Sequence, residues 1–216
     1  MATRKPASRQ DLSRKGVSRE PYKKVLIVCE GEKTEPSYFK ELINHFSLST
    51  ANVVISGDCG SAPINVVRHG KVLYDASAKD KYDFVYFVFD RDTHPTYGEA
   101  VARVSSLKPA GCFVVADSNP SFEYWFRLHF GFSRKPYMAS GKNSSGDLVV
   151  RDLVSVWPEY CKNMVGTFRH LLPNLSGALK NAEAASKDAD NTGQPNPSTK
   201  VHQLVRLLQE LKGTPA

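Results

Sequence analysis

The chain has 216 residues, of which 41% are hydrophobic and 24% are charged. This composition allows a normal hydrophobic core and excludes a chain that is disordered throughout. The longest apolar runs, residues 25–29 and 84–89, are far too short to cross a bilayer. The first twenty residues contain no apolar stretch of the kind that a secretory signal requires. We therefore expect a cytoplasmic protein with no membrane anchor, and we interpret its four well-separated cysteines as reduced thiols.

Positive charge is concentrated at the beginning of the chain. The formal net charge is +7, and residues 1–24 carry +6 of it, with eight Lys and Arg residues against two acidic ones. Residues 25–216 contain 21 basic and 20 acidic residues, so they are close to neutral. We interpret residues 1–21 as a basic, disordered arm. A role for this arm in neutralising the phosphates of nucleic acid is an alternative that the sequence leaves open.

The first half of the chain alternates strand patterns with helix patterns. Strands are predicted at continuous apolar or β-branched runs, in residues 25–30, 53–56, 83–90 and 112–118. Helices are predicted where apolar residues recur at helical spacing, in residues 34–46, 64–78 and 97–107. Strands that alternate with helices indicate a parallel sheet with right-handed crossovers. We therefore predict an α/β fold over residues 22–120, with a Rossmann-like parallel sheet of about four strands flanked by helices.

After Asn119 the pattern becomes helical. Helices are predicted over residues 122–130, 148–156, 164–172, 177–187 and 198–211. Asn119 and Pro120 are expected to begin the first of them, and Ser198 and Thr199 the last. Two stretches rich in Gly, Ser, Asn and Pro are predicted to be mobile interruptions, residues 139–147 and 187–198. We therefore predict a C-terminal helical region over residues 121–212, packed on the α/β core, and a tail over residues 213–216.

Three carboxylates follow predicted strands. Glu30 ends the first strand, and Asp90 and Asp92 end the third. Parallel sheets place their working residues at the carboxyl ends of the strands, and residues two apart in an extended segment project to the same side. Mg²⁺ prefers oxygen ligands and needs only one or two protein carboxylates beside substrate phosphates. A metal site is one interpretation of this pattern, and ordinary polar strand ends are the other.

The turn after the first strand contains Gly31, Lys33 and Thr34, as some phosphate-binding loops do. It lacks the upstream glycine of the ATP-binding loop, so we do not predict ATP hydrolysis. A contact between Lys33 and a phosphate group remains open, with a solvated turn lysine as the alternative.

Four separated segments occur in a characteristic order: KKVLIVCEGEKTEPSYF, YDFVYFVFDRD, SNPSFEYWFRLHF and NPSTKVHQLV. With them the chain resembles the RloB family over roughly residues 22–212. That family is related to TOPRIM domains and is found among bacterial phage-defence and restriction-associated loci. The resemblance implies a TOPRIM-type fold, and it implies an AAA-type ATPase, encoded nearby, as a partner.

The resemblance also implies roles for individual residues. Asp90 and Asp92 would bind Mg²⁺ or Mn²⁺, and Glu30 would act as general acid/base or as a further metal ligand. Glu123, in the SNPxFE segment, would join the same cleft. Arg127 lies four residues after Glu123, so a surface ion pair between them is the alternative.

Two basic side chains are further candidates for phosphate contacts. Lys162 lies in a segment that resembles the family's Tyr-x-Lys element, and His129 lies in its LHF motif. The ordinary alternatives are a solvated lysine and a histidine packed in the core.

The function implied by this resemblance is a Mg²⁺-dependent nuclease that cuts RNA, tRNA included, or DNA in anti-phage defence by abortive infection. The alternative is a non-catalytic module that binds nucleic acid, a nucleotide or a partner protein. The two differ in one expectation, because only the nuclease requires its acidic side chains to face one cleft.

Overall fold

A computed structural model describes residues 23–48, 53–56, 62–78, 80–91 and 94–213. The predicted basic arm, Asp92 and most of the predicted tail lie outside these residues.

A parallel sheet forms the centre of the N-terminal half. Its strands are β1 (Val25–Cys29), β2 (Val53–Ser56), β3 (Phe84–Val88) and β4 (Phe113–Val115), and they lie in the order β2-β1-β3-β4. Every neighbouring pair is parallel. All five residues of β1 are buried, which explains its continuous apolar run, because a strand covered on both faces has no polar side. The predicted α/β class with a parallel sheet is confirmed.

Helices cover both faces of this sheet. The side chains of β1 alternate between two hydrophobic clusters, with Val25 and Ile27 in one and Leu26 and Val28 in the other. Helix α1 (Thr34–Phe46) contributes to the first cluster, whereas α2 (Pro63–Ala76) and α3 (Tyr97–Ser106) contribute to the second. The sheet is therefore sandwiched, and its strand ends remain as the edges where polar side chains can collect.

The C-terminal helices pack on the α1 side of the sheet and share its hydrophobic cluster. They are α4 (Glu123–Arg127), α5 (Ser145–Val156), α6 (Thr167–Leu171), α7 (Leu175–Thr192) and α8 (Val201–Gly213). Short 3₁₀ turns, Leu128–Phe130 and Leu172–Asn174, extend α4 and α6. Within the described part of the chain, no helix combines the length and the apolar character that a bilayer span requires.

Two predicted helix starts are wrong. Ser118–Asn119 and Ser198–Thr199 form short strands, β5 and β6, that pair antiparallel with each other. Helix α4 therefore begins at Glu123 rather than at Pro120, and α8 begins at Val201. The pairing joins segments about eighty residues apart, and the Ser118 and Thr199 hydroxyls share a hydrogen bond of 2.8 Å. A local capping rule does not detect such a contact.

The two predicted mobile interruptions are shorter than expected. Helix α7 continues to Thr192, through part of residues 187–198, because Ala178, Ala182, Ala185 and Ala189 bury one small-residue face of it. Helix α5 begins at Ser145, where Ser144 and Asp147 form a reciprocal capping box. A composition rich in Gly, Ser, Asn and Pro therefore overestimated the length of the irregular segments in this chain.

Gly70 lies where α2 packs tightly on the sheet. A Cβ atom at this position would lie 2.5 Å from Phe87 Cε1 and 3.0 Å from Val28 Cγ2. We expect Gly70→Ala to destabilise the protein by about 1–3 kcal/mol, because buried side chains would have to move apart. Thermal unfolding checks this, since each kcal/mol corresponds to about 2–4 °C at this chain length. Gly98→Ala in α3 is the matched control, because no atom lies within 4 Å of its Cβ position. Equal stability of the two variants would contradict the close packing of α2.

Candidate functional site

Four acidic side chains approach one another at the carboxyl ends of β1 and β3. Glu30 directly follows β1, Glu35 lies in the first turn of α1, Asp90 follows β3 by two residues, and Glu123 is the first residue of α4. The charges of Glu123 and Glu30 act on both Asp90 and Glu35. Carboxylates from four separate segments therefore share one region at the edge of the sheet.

Glu30 and Asp90 are joined directly. The backbone N–H of Asp90 donates to Glu30 Oε2 at 2.9 Å, and the backbone N–H of Glu30 donates to the carbonyl of Val88 at 2.9 Å. The ends of β1 and β3 are thereby held side by side. Glu30 thus lies beside the backbone of Asp90.

Glu123 faces the same region and is 6% exposed. Ser121 Oγ donates to its Oε2 at 2.7 Å, and the Tyr160 hydroxyl lies at a long 3.5 Å from its Oε1. The alternative of an ion pair with Arg127 is wrong, because Arg127 Nε donates to Asp152 Oδ2 at 3.0 Å instead.

Glu35 is an acidic residue that the sequence analysis did not select. It is 8% exposed, and its carboxylate lies against Gly31, where a Cβ atom would be only 2.2 Å from Glu35 Oε2. The available signal was its position, because it lies in the first helical turn after a buried strand. Glycine at position 31 is what leaves room for this carboxylate at the strand end.

A cavity of about 230 Å³ joins Glu35, Asp90 and Glu123, whereas Glu30 lines an adjoining cavity. The lining of the first cavity combines acidic residues, hydroxyl groups and one basic side chain: Thr34, Glu35, Asp90, Ser121, Phe122, Glu123, Ser144, Gly146 and Lys162. We call it the acidic cavity. Residues 30–35 and Asn163 line an adjoining cavity of about 340 Å³, in which Lys33 is exposed. The structure therefore brings Lys162 together with Glu123 and Asp90, and it places Lys33 in the adjoining cavity.

The pKa values of two of the acids reflect this crowding. Burial raises the pKa of Asp90 well above its usual range, the charges of Glu123, Glu35 and Glu30 raise it further, and a backbone hydrogen bond from Phe122 opposes the shift. Burial likewise raises the pKa of Glu35 from 4.5 to about 7, and Glu123 and Glu30 again add to the effect. At neutral pH this site therefore favours either a bound proton or a bound cation.

The acidic cavity offers oxygen atoms as ligands, which suits a hard cation such as Mg²⁺ or Mn²⁺ rather than zinc. Among the described residues, no group of three or more His, Cys, Asp and Glu side chains is already arranged to hold a metal ion. Asp92, a predicted ligand, lies outside them. Because Mg²⁺ uses one or two protein carboxylates and completes its shell with water and phosphate oxygens, the residues present fit this cation.

The structure does not bring His129 to this cavity. His129 is 5% exposed, its ring packs edge-on against Trp125 at 4.7 Å, and its Nδ1 lies 3.0 Å from the Trp125 carbonyl oxygen. Burial lowers its pKa to about 4, so the ring is neutral at physiological pH. This position is that of a packed core residue, which was the alternative to a phosphate contact.

Fold and site together define a class: an α/β protein whose parallel sheet carries an acidic cavity at the carboxyl ends of its strands. Comparison with protein-family models matches residues 25–208 to the family described as RloB-like protein. The chain belongs to this RloB-like family, as its four sequence segments predicted. No curated protein and no solved structure gave a significant match.

The pKa of Glu35 predicts how the stability of the metal-free protein depends on pH. Because the folded-state pKa of about 7 lies above the ordinary 4.5, the contribution of Glu35 is fully present below pH 4.5 and is lost as the pH rises to about 7. We therefore expect wild type to lose stability relative to Glu35→Gln over this range, by up to about 3 kcal/mol. Denaturant unfolding in EDTA at a series of pH values measures the difference. A difference that is constant from pH 4.5 to pH 7 would contradict the burial of this carboxyl group.

Proposed function

We propose that this chain is a Mg²⁺- or Mn²⁺-dependent TOPRIM-type nuclease that hydrolyses phosphodiester bonds in RNA or DNA during bacterial anti-phage defence. The observation that carries the proposal is the convergence of Glu30, Glu35, Asp90 and Glu123, with Lys162 at the edge of the acidic cavity. Buried like charges oppose folding, so a purely structural role gives no reason to collect them. A cation-dependent reaction does give a reason to collect these carboxylates.

The side chains divide into roles. Asp90 and Glu123 would hold the cation, and Asp92 stays a predicted ligand. The cation held there would supply polarisation of the scissile phosphate and a lower pKa for the attacking water. Lys162 neutralises phosphate charge at the opening of the cavity.

Proton transfer falls to the other two acids. Glu35, with a pKa of about 7, is suited to accept a proton from water at neutral pH. Glu30 holds the Asp90 segment in place through the backbone N–H of Asp90, and it stays a candidate for acid/base catalysis. We therefore assign the general base to Glu35 first and to Glu30 second.

The biological setting comes from the resemblance to the family. It implies a cytoplasmic defence protein that is restrained or triggered by an AAA-type ATPase encoded nearby. Co-expression of the two genes in phage-challenged cells tests this setting, with Asp90→Ala expected to abolish both protection and toxicity. Protection that persists in the Asp90→Ala strain would remove the catalytic role in defence.

A cleavage assay tests the enzymatic proposal. The purified protein, alone and with the ATPase, is incubated with labelled tRNA, single-stranded RNA and DNA in Mg²⁺, Mn²⁺ or EDTA. We expect cleavage that depends on the cation, and a loss of at least about a hundredfold in Glu35→Gln, as removal of a general base typically produces. Glu159→Gln, an exposed neighbour of Tyr160, is the matched control and should retain full activity. Full activity in EDTA would exclude the proposed mechanism.

One observation favours the non-catalytic alternative. Within the residues that the structure describes, no set of three side chains is already arranged for a metal ion, and a binding module has no need of one. Such a module would bind nucleic acid or a nucleotide through Lys162 and Lys33 without cutting it. Thermal-shift titration separates the two functions, because a metal enzyme is stabilised by Mg²⁺ or Mn²⁺ in proportion to its affinity. Nucleic-acid binding without stabilisation by either ion would favour the module.

A further inference from the structure

A second polar cavity begins one residue beyond Asp90 in the chain. Its volume is about 370 Å³, and its polar lining includes Arg91, Tyr97, Asp117, Ser198 and Lys200, with the C-terminal part of α7 as another wall. We call it the Arg91 cavity. Part of its lining lies in or next to two of the segments that carry the resemblance to the family. Asp117 directly precedes SNPSFEYWFRLHF, and Ser198 and Lys200 lie in NPSTKVHQLV.

Arg91 is the group in this cavity that is ready to bind a ligand. Its guanidinium lies over the ring of Tyr97, 5.0 Å from the ring centroid, and its backbone N–H donates to the Ser118 carbonyl at 2.7 Å. Among the described residues no carboxylate pairs with it, whereas Arg127 pairs with Asp152 and Arg134 with Asp188. This cation–π contact uses the ring face and leaves the N–H donors of the guanidinium for a ligand.

Tyr97, Asp117 and Lys200 form a frame around Arg91. The Tyr97 hydroxyl donates to Asp117 Oδ2 at 2.7 Å, and Lys200 Nζ lies 3.1 Å from Asp117 Oδ1. The backbone N–H of Lys200 also donates to the Asp117 carbonyl at 2.8 Å. Asp117 is thereby paired with Lys200 and hydrogen-bonded to Tyr97, although its buried Oδ1 accepts no hydrogen bond from the described residues. The Tyr97 ring is held beside the guanidinium. The other acid of the lining, Asp190, is exposed to water, which screens its charge.

We propose that the Arg91 cavity binds a phosphate group of the nucleic-acid strand, neighbouring the phosphate that enters the acidic cavity. This inference rests on the proposed function. A guanidinium matches two phosphate oxygens at once, and its rigid fork fixes the orientation of the strand. Because Asp90 and Arg91 are consecutive, the two cavities are held in register, and Arg91 sets which bond reaches Asp90. Tyr97 and Asp117 act as positioning residues.

The test is nucleic-acid binding across a salt series. Fluorescence anisotropy is measured for the full chain with fluorescein-labelled single-stranded RNA and DNA of about 20 nucleotides, with Ca²⁺ in place of Mg²⁺. We expect Arg91→Ala to weaken binding about tenfold, as loss of a charge-assisted hydrogen bond does. The slope of log K against log salt should fall by about 0.7, the value for one phosphate contact on a single strand. Arg91→Lys should keep the salt slope and lose part of the affinity, because an ammonium group does not bind two oxygens in the same way.

Arg103→Ala is the control, because it removes the same charge from an exposed position in α3. It should match wild type in affinity and slope. If Arg91→Ala also matches wild type in affinity and slope, the proposed phosphate site is wrong. Cation-dependent cleavage by wild type would still support the nuclease. Another outcome is that wild type binds nucleic acid without cutting it, while Arg91→Ala binds more weakly and with a smaller salt slope. That result supports the phosphate site and contradicts the nuclease. Absence of binding by wild type overturns both.

Discussion

Asp90→Asn is expected to abolish cleavage and, at the same time, to raise the melting temperature of the metal-free protein. The pKa of Asp90 is raised by burial and by three neighbouring carboxylates. Because its folded-state pKa exceeds its unfolded one, stability is lost as the pH rises through the folded-state value, and asparagine removes this loss. Thermal unfolding in EDTA at pH 7.5 should show a gain of several degrees, at about 2–4 °C per kcal/mol.

Divalent cations should reverse the order of stability of wild type and Asp90→Asn. Added Mg²⁺ or Mn²⁺ should stabilise wild type through ligand linkage and leave Asp90→Asn nearly unchanged. Asp75→Asn is a suitable control, because Asp75 is an exposed partner of Lys71 in α2 and lies in neither cavity. If Asp90→Asn were less stable than wild type in EDTA, the carboxylate would be acting mainly as an acceptor for the Phe122 backbone.

Gly31→Ala is expected to lower the cleavage rate on the order of a hundredfold while changing stability little. The new Cβ would lie 2.2 Å from Glu35 Oε2, so the Glu35 carboxylate has to move. The atom that gives way is the end of a flexible side chain, which makes the structural cost small. A displacement of about 1 Å in an active site is enough for a hundredfold loss of rate.

The control for Gly31→Ala is Gly177→Ala in α7, where the added Cβ meets no atom within 4 Å. Single-turnover cleavage and thermal unfolding are measured on both variants. Wild-type activity in Gly31→Ala would show that the position of Glu35 is irrelevant to the reaction. A large loss of stability would instead show that residue 31 serves the fold.

The expectations for the Asp90 and Glu35 variants share one physical cause. The acidic cavity collects carboxylates that burial keeps from being solvated, so the metal-free fold is weakened where the proposed reaction takes place. Substitutions that neutralise the cavity should therefore stabilise the protein and inactivate it. Opposite effects on stability and activity are the signature that distinguishes a working site from a structural cluster.

The sequence by itself determined the α/β class and placed Glu30 and Asp90 at the carboxyl ends of two strands. It could do so because a strand buried on both faces must be continuously apolar, and because parallel strands end at one edge of the sheet. The order of four short segments was also enough to predict the RloB-like family. These are properties of local pattern, which a chain carries in its residue order.

Tertiary structure alone decided which side chains meet. Glu35 enters the site only because Gly31 leaves it room, and Arg127 pairs with Asp152 in α5 instead of with Glu123. His129 lies four residues after Trp125, a spacing that allows either a packed core residue or a phosphate contact, and the observed packing against Trp125 decides for the core. The pairing of β5 with β6 joins residues about eighty positions apart, as does the contact between Asp117 and Lys200. Such contacts depend on the path of the whole chain, so no local rule of periodicity or capping contains them.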